Sequence, residues 1–327
     1  MKLTNKTKLA VIGCGAVTQN FYIPALKSLK IKPLYFVDKN IKSAKKCAKK
    51  FSGSIAVESF DDIINNFDEA IITLPNSLHF PIALELINNK KNLLIEKPIC
   101  ISSSESKKIK QLSEQYSLSV ICGNMRRQLR SVGYIKKLIS DKTLGNIVSF
   151  RCREGGVFNW PIQSENFWDK KFSGGGVLLD TGSHTIEQIL FWFGYPKDIK
   201  YFDNTIDNIE SDCFIDLNFE NFKGSLQLSR TLGLDCKMYI KFTEGDVIFD
   251  LVGNKIDINS SSKVKNLIQI DKFNQKNQSY DDLISKQIHE WYKIMNGMPA
   301  NVVTTDDAHK VMEFIDHCYS NRMELEF

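Results

Sequence analysis

Short apolar runs punctuate the first part of the chain, at Leu9–Ile12, Pro33–Val37, Ala70–Leu74, Asn92–Ile95 and Ser119–Ile121. Between them lie helical patterns over Pro24–Leu29, Ile41–Phe51, Phe80–Asn88 and Ser104–Tyr116. Continuous apolar runs mark strands buried on both faces, and parallel neighbours need helical crossovers. This part therefore reads as a doubly wound α/β sheet. After about residue 145 the pattern changes. Apolar residues now alternate with polar ones over Ile147–Arg153, Ile199–Thr205, Cys213–Phe219, Gly224–Arg230, Cys236–Phe242 and Val247–Leu251. Polar turns separate several of these segments, which predicts a largely antiparallel sheet. Helical patterns cover Val177–Phe193, Tyr280–Met295 and Thr305–Arg322. The expected architecture is a parallel-sheet domain over residues 1–122 followed by an α+β domain over residues 123–327.

Composition narrows the class. The chain has 327 residues, 43% hydrophobic and 25% charged, which suits two ordinary globular cores. Eight cysteines show no C-x-x-C pair and no repeated spacing, so they read as reduced thiols; no disulfide framework and no metal site is expected. No apolar run approaches the roughly 20 residues that cross a bilayer. Lys2, Lys6 and Lys8 before Leu9–Ile12 imitate a signal sequence, but the apolar stretch is shorter than the about 7–15 residues of a signal core. A cytoplasmic protein is expected, with no membrane partner. Residues 1–150 carry 24 Lys and Arg against 11 Asp and Glu, whereas the rest carries 19 against 27. A basic first half suits dinucleotide phosphates or simply a solvated helix face. No aromatic-interleaved basic motif points to nucleic acid.

Four motifs carry candidate chemistry. Gly13-Cys14-Gly15-Ala16-Val17-Thr18 follows an apolar strand directly. Two glycines let the backbone turn sharply and approach a pyrophosphate, whose charge meets the N-terminus of the next helix. Asp38 ends the second strand, 20 residues after Thr18, where a carboxylate can accept from a ribose 2′-hydroxyl. Such a residue favours NAD(H); the neighbouring Lys39 could neutralise a 2′-phosphate, which keeps NADP(H) open. Thr18 stands where glycine or alanine is usual, which predicts a slightly looser helix–strand contact. Thr73-Leu74-Pro75-Asn76 and His79 lie at and beyond the end of the run Ala70–Leu74 and are placed to border the cofactor, although His79 can equally cap or pack on its helix. Glu96-Lys97-Pro98 follows Leu93–Ile95. A lysine there can polarise a hydroxyl or carbonyl, or form an ordinary ion pair with Glu96. Finally, Gly174-Gly175-Gly176 precede Asp180 and His184, which share a helix face at i, i+4 spacing. A carboxylate beside an imidazole suits a proton relay, and also fits an ordinary helical pair or two metal ligands lacking a third. Gly182 within that helix predicts close approach of another group.

Taken in order, these motifs resemble the Gfo/Idh/MocA family of NAD(P)-dependent oxidoreductases. The resemblance rests on Gly13-x-Gly15 with Pro24-Ala25-Leu26, Pro75-Asn76 followed by His79, Glu96-Lys97-Pro98, Gly145-Asn146-Ile147, and the glycine run ending in Asp180 and His184. It implies an N-terminal Rossmann domain and a C-terminal domain for substrate binding and oligomerisation. It also implies hydride transfer between nicotinamide and a secondary hydroxyl or ketone of a sugar, with a lean toward nucleotide-linked sugars of surface-polysaccharide synthesis. By resemblance, Lys97, Asp180 and His184 line the site at the nicotinamide. His184 is expected as acid/base, Lys97 as the group that polarises the oxygen, and Asp180 as the group that positions His184; the first two roles can be exchanged. Gly13, Gly15, Ala16, Val17, Asp38, Lys39, Thr73, Leu74, Pro75, Asn76, His79, Glu96 and Lys97 are expected at the cofactor. Trp160 and Trp168, with Phe158 and Phe167, are candidates for stacking on a sugar ring. A homodimer or homotetramer joined through the antiparallel sheet is expected. Two alternatives are an NAD-dependent glycosidase with no net redox change and a non-catalytic cofactor-sensing regulator.

Overall fold

The computed structural model describes residues 8–157, 169–205, 209–251, 255–260 and 278–325. The chain divides into two compact units that interleave along the sequence. Met1–Gln128, Pro161–Gly174 and Ser279–Met312 form the first; Leu129–Trp160, Gly175–Gln278 and Glu313–Phe327 form the second. The sequence reading expects a single boundary at residue 122, whereas the compact units are each assembled from three segments of the chain.

In the first unit, β1 (Leu9–Ile12), β2 (Tyr35–Val37), β3 (Ile55–Val57), β4 (Glu69–Ile72), β5 (Asn92–Glu96) and β6 (Val120–Gly123) run parallel in the order β3-β2-β1-β4-β5-β6. This is the order of a dinucleotide-binding sheet, whose ligand cleft opens beyond the strands' carboxyl ends where the order reverses between β1 and β4. All four residues of β1 are buried, as are the middle residues of β5, so the apolar runs are continuous and do not alternate. β3 lacks that signal because it is a three-residue edge strand with Ile55 exposed. The crossover helices include α1 (Ile23–Ser28), α2 (Ile41–Ala48), α3 (Asn76–Asn88) and α4 (Ser103–Gln115). Side chains start two of them: Asn40 accepts from the Lys42 N–H, and Ser102 from the Glu105 N–H.

The returning segment completes this unit. Val303–Thr304 pairs antiparallel with β6 as a seventh strand. The helix Tyr280–Met295 buries Ile284, Ile288, Trp291 and Tyr292 against Leu26, Leu94 and Ile121. Trp291 is fully buried and its indole N–H donates to the Ser119 carbonyl at 3.2 Å.

The second unit is built on an eight-stranded sheet. Its order is β13 (Ile256–Ser260), β12 (Gly245–Asp250), β11 (Lys237–Phe242), β7 (Ile147–Gly155), β10 (Lys223–Ser229), β9 (Asp212–Asn218), β8 (Asp198–Asp203) and then Arg322–Glu324. Neighbours are antiparallel except β7 with β10 and β8 with Arg322–Glu324. Cys213, Ile215 and Leu217 of β9 face the core with Leu226 and Leu228 of β10; the alternate residues Phe214, Asp216, Ser225 and Gln227 are half-buried on the other face. Helices α5 (Arg130–Ser140) and α8 (Gly182–Phe193) pack together, and the Trp192 indole donates to the Val132 carbonyl at 2.9 Å. Short α7 (Val177–Asp180) lies against β9 and β10. Among the described residues no helix is long and apolar enough to cross a membrane.

Candidate active site

The turn after β1 is held from three sides. Gly13 has φ +98°, and a Cβ there would stand 2.6 Å from the Thr73 carbonyl oxygen, so glycine is required by both conformation and space. Thr18 is fully buried; its hydroxyl donates to the Gly13 carbonyl at 2.7 Å and lies 2.6 Å from the Thr73 hydroxyl. The helix–strand contact at this position is therefore bridged by hydrogen bonds instead of being loosened. The helix that follows is locally π-wound over Thr18–Tyr22, with the Ile23 N–H donating to the Thr18 carbonyl. The wider turn accommodates Pro24, which has no N–H to offer and would clash with a carbonyl one α-turn back.

Gly15 differs from Gly13. A Cβ there meets no described atom within 4 Å, so protein packing leaves this face of the turn open. Asp38, at the end of β2, accepts the Cys14 N–H at 2.8 Å through one oxygen and the Asn40 N–H at 2.8 Å through the other. Its carboxylate is locked at the neighbouring strand end with lone pairs left for ribose hydroxyls. Lys39 is exposed beside it. Ala16 and Val17 open the helix and are half-buried. An open glycine turn, a helix N-terminus and a fixed carboxylate together fit an adenine dinucleotide.

The ends of β4 and β5 are tied together by His79. Its ring is fully buried, with Nδ1 2.7 Å from the Pro98 carbonyl and Nε2 2.8 Å from the Leu74 carbonyl. Burial pushes its pKa down, against the pull of the two carbonyls. Both ring nitrogens face backbone carbonyls, a neutral ring donating to one of them and the imidazolium to both, and His79 sits between the loops that carry Thr73–Asn76 and Lys97. The Asn76 side chain donates to the Ser173 carbonyl at 2.9 Å. Glu96 is gripped by the Tyr22 hydroxyl at 2.6 Å and by the Lys97 N–H at 3.0 Å. Burial raises the Glu96 pKa, while the Tyr22 bond and the Lys97 charge oppose it. Lys97 is half-buried at the carboxyl end of β5, on the same edge of the sheet as Gly13, Asp38 and Thr73.

In the second unit, Asp180 ends α7 and His184 lies in the first turn of α8. Gly182 between them fits closely, because a Cβ there would lie 2.9 Å from a methyl carbon of Leu228. The glycine run has an internal reason as well: Glu210 occupies the space that a Cβ on Gly176 would need. Asp180 also binds a residue that local spacing does not reveal. The nearly buried Arg230 guanidinium, at the end of β10, donates to its carboxylate at 2.9 Å. Arg230 and Glu210 stand 50 and 34 residues from their partners, so no periodicity marks them. Trp160, Trp168, Phe158 and Phe167 lie outside the described residues.

The first unit and its site define a dinucleotide-binding protein of the Rossmann type. Residues 7–124 match the description "Oxidoreductase family, NAD-binding Rossmann fold", and residues 132–248 match "GFO/IDH/MocA C-terminal domain". The chain belongs to the Gfo/Idh/MocA oxidoreductase family. Among curated relatives it is 30% identical over 199 residues to glucose-6-phosphate 3-dehydrogenase of Bacillus subtilis, covering 58% of this chain and 54% of that protein. It is 27% identical over 193 residues to scyllo-inositol 2-dehydrogenase (NADP(+)) of the same organism, covering 58% and 52%. The chain thus spans about half the length of these two relatives. A similar fold is seen in the WlbA dehydrogenase of Bordetella pertussis, solved with NADH and UDP-GlcNAcA, with a TM-score of 0.85, 16% identity, and coverage of 97% of this chain and 95% of that one.

Proposed function

We propose that this protein is an NAD(P)-dependent dehydrogenase or reductase acting on a secondary hydroxyl or ketone of a sugar or cyclic polyol. The observation that carries the reading is the carboxyl edge of the parallel sheet, where the open Gly15 turn, the locked Asp38 carboxylate and Lys97 follow β1, β2 and β5. The bound nicotinamide supplies a hydride acceptor or donor. The chain's own residues manage the proton. In oxidation, the hydroxyl loses its proton as the carbon loses hydride; in reduction both return. Lys97 orients and polarises that oxygen, His184 takes or returns its proton, and Asp180, anchored by Arg230, orients His184. Asp38 favours NAD(H) over NADP(H), since its charge repels a 2′-phosphate.

The relatives named above bear on the substrate only as a class: a phosphorylated hexose, an inositol and a nucleotide-linked sugar acid, all with ring hydroxyls. Of these we favour a nucleotide-linked sugar. The test is NADH formation or consumption with glucose 6-phosphate, scyllo-inositol and UDP-GlcNAcA, each with NAD and NADP. Turnover of any one supports the reading. Sugar release without net change in NADH or NADPH would replace it with the glycosidase chemistry, and absence of binding of both NADH and NADPH would sink it. We also propose a homodimer or homotetramer joined through the half-buried outer face of the second unit's sheet, formed in part by Phe214, Asp216 and Gln227. Light scattering that gives the 37.4 kDa monomer mass at micromolar concentration contradicts it.

A further inference from the structure

We infer that Glu210 is a positioning residue that sets the placement of Asp180 and His184 through the backbone. This rests on the proposed acid–base roles of that pair. Glu210 precedes β9, is 1% exposed, and is held away from solvent by a set of donors that converge on it. Its carboxylate accepts the Gly176 N–H at 3.0 Å on both oxygens, the Leu178 N–H at 2.9 Å and the Tyr319 hydroxyl at 2.9 Å. These N–H groups belong to the start of α7, which has no side-chain cap of its own. A carboxylate at that end satisfies otherwise orphaned donors. Burying it is costly, and a local Ser or Asp cap would do the same for helix stability alone.

Three threads of hydrogen bonds run from residues 210–211 to the catalytic candidates. The Gly176 N–H is fixed by the Glu210 carboxylate, and the Gly176 carbonyl accepts the Asp180 N–H at 3.1 Å. The Glu210 carbonyl accepts the Val177 N–H at 3.0 Å, the Val177 carbonyl accepts the Thr181 N–H at 3.0 Å, and the Thr181 carbonyl accepts the His184 N–H at 3.1 Å. The Ser211 carbonyl accepts the Arg230 N–H at 2.8 Å, and Arg230 in turn holds the Asp180 carboxylate. One two-residue segment therefore sets Asp180, His184 and the partner of Asp180 together. Gly176 is part of the same device, since its missing Cβ is what lets Glu210 in. Among the described residues, the titratable groups that face Glu210 are Tyr319, Tyr201 and Cys213, and burial raises the pKa of all three; burial raises the pKa of Glu210 as well, against the pull of the Leu178 and Gly176 N–H groups and the Tyr319 hydroxyl.

The test uses the full chain with histidine side chains labelled for NMR, the His184 signal being assigned by its loss in His184→Ala. Glu210→Ala should shift the His184 signal by more than a linewidth, leave those of His79, His289 and His309 in place, and leave NADH affinity unchanged. Glu210→Gln keeps one acceptor oxygen and should shift it less; Tyr319→Phe, which removes one donor, should give a small shift of the same kind. If Glu210→Ala does not fold, the last two variants decide. A His184 signal that stays put in the folded variants overturns the inference, and so does a shift shared by all the histidines. Normal turnover by His184→Ala would remove the proposed acid–base role while leaving the NMR result standing.

Discussion

Replacing each glycine of the first turn by alanine separates folding from cofactor binding. At Gly13, φ is +98° and the new Cβ would sit 2.6 Å from a backbone carbonyl that cannot rotate away. Backbone strain of this kind costs of order 1–3 kcal/mol, before the clash is added. At roughly 2–4 °C per kcal/mol for a unit of this size, Gly13→Ala should lower Tm by about 2–12 °C or more. Gly15 carries no such penalty, having open space at its Cβ position. There the loss of unfolded-state freedom is worth about 0.4–1 kcal/mol in favour of the fold. Gly15→Ala should therefore melt at or slightly above the wild-type temperature, yet bind NADH about tenfold more weakly or worse, a loss of about 1.4 kcal/mol. The physical reason is that, with the dinucleotide placed as proposed, the added methyl group would stand where the pyrophosphate approaches. Thermal melts without ligand and fluorescence titration with NADH read the two effects separately. Wild-type NADH affinity in a folded Gly15→Ala variant refutes the placement of the dinucleotide on this turn. An unchanged Tm in Gly13→Ala refutes the strain argument.

Three further outcomes follow from the same structure. Lys97→Ala and His184→Ala should each lower kcat by about 10²–10⁴-fold with NADH affinity retained, and the double variant should lose much less than the product, because both serve one proton transfer; steady-state kinetics on the substrate found in the panel checks this. Asp38→Asn keeps an acceptor for the Cys14 N–H but removes the charge, so the ratio of NADPH to NADH affinity should rise about tenfold, equal to about 1.4 kcal/mol, in paired titrations. Trp291→Ala empties a fully buried site beneath the sheet and should destabilise the first unit by about 3–5 kcal/mol in urea unfolding, which a loss below about 1 kcal/mol would contradict.

Much of this was legible in the chain because it is written in local pattern. Continuous apolar runs place five of the six parallel strands, and alternation places most of the second sheet, since burial on two faces or one dictates the period directly. The helical pattern near Tyr280–Met295 is matched by a helix over those residues, whose Ser279–Asp282 capping box is seen in the structure. Gly13, Gly15, Asp38 and Lys97 stand out as motif residues because each lies next to a strand end that the pattern already locates. Tertiary structure decided the rest. The same helix, placed by sequence order with the second domain, buries Trp291 in the first unit, because which core an amphipathic face joins depends on where the chain returns. Thr18 reads as a misfit in a glycine fingerprint until Gly13 and Thr73, 55 residues further on, supply its hydrogen bonds. His79 reads either as a residue bordering the cofactor or as one packed on its helix, and only the fold sets its ring between the Leu74 and Pro98 carbonyls. Arg230 and Glu210 have no local signature at all, since an ion pair or a buried carboxylate between distant segments leaves no periodicity behind. Backbone pattern is local chemistry; the company a polar side chain keeps is set only when distant strands meet.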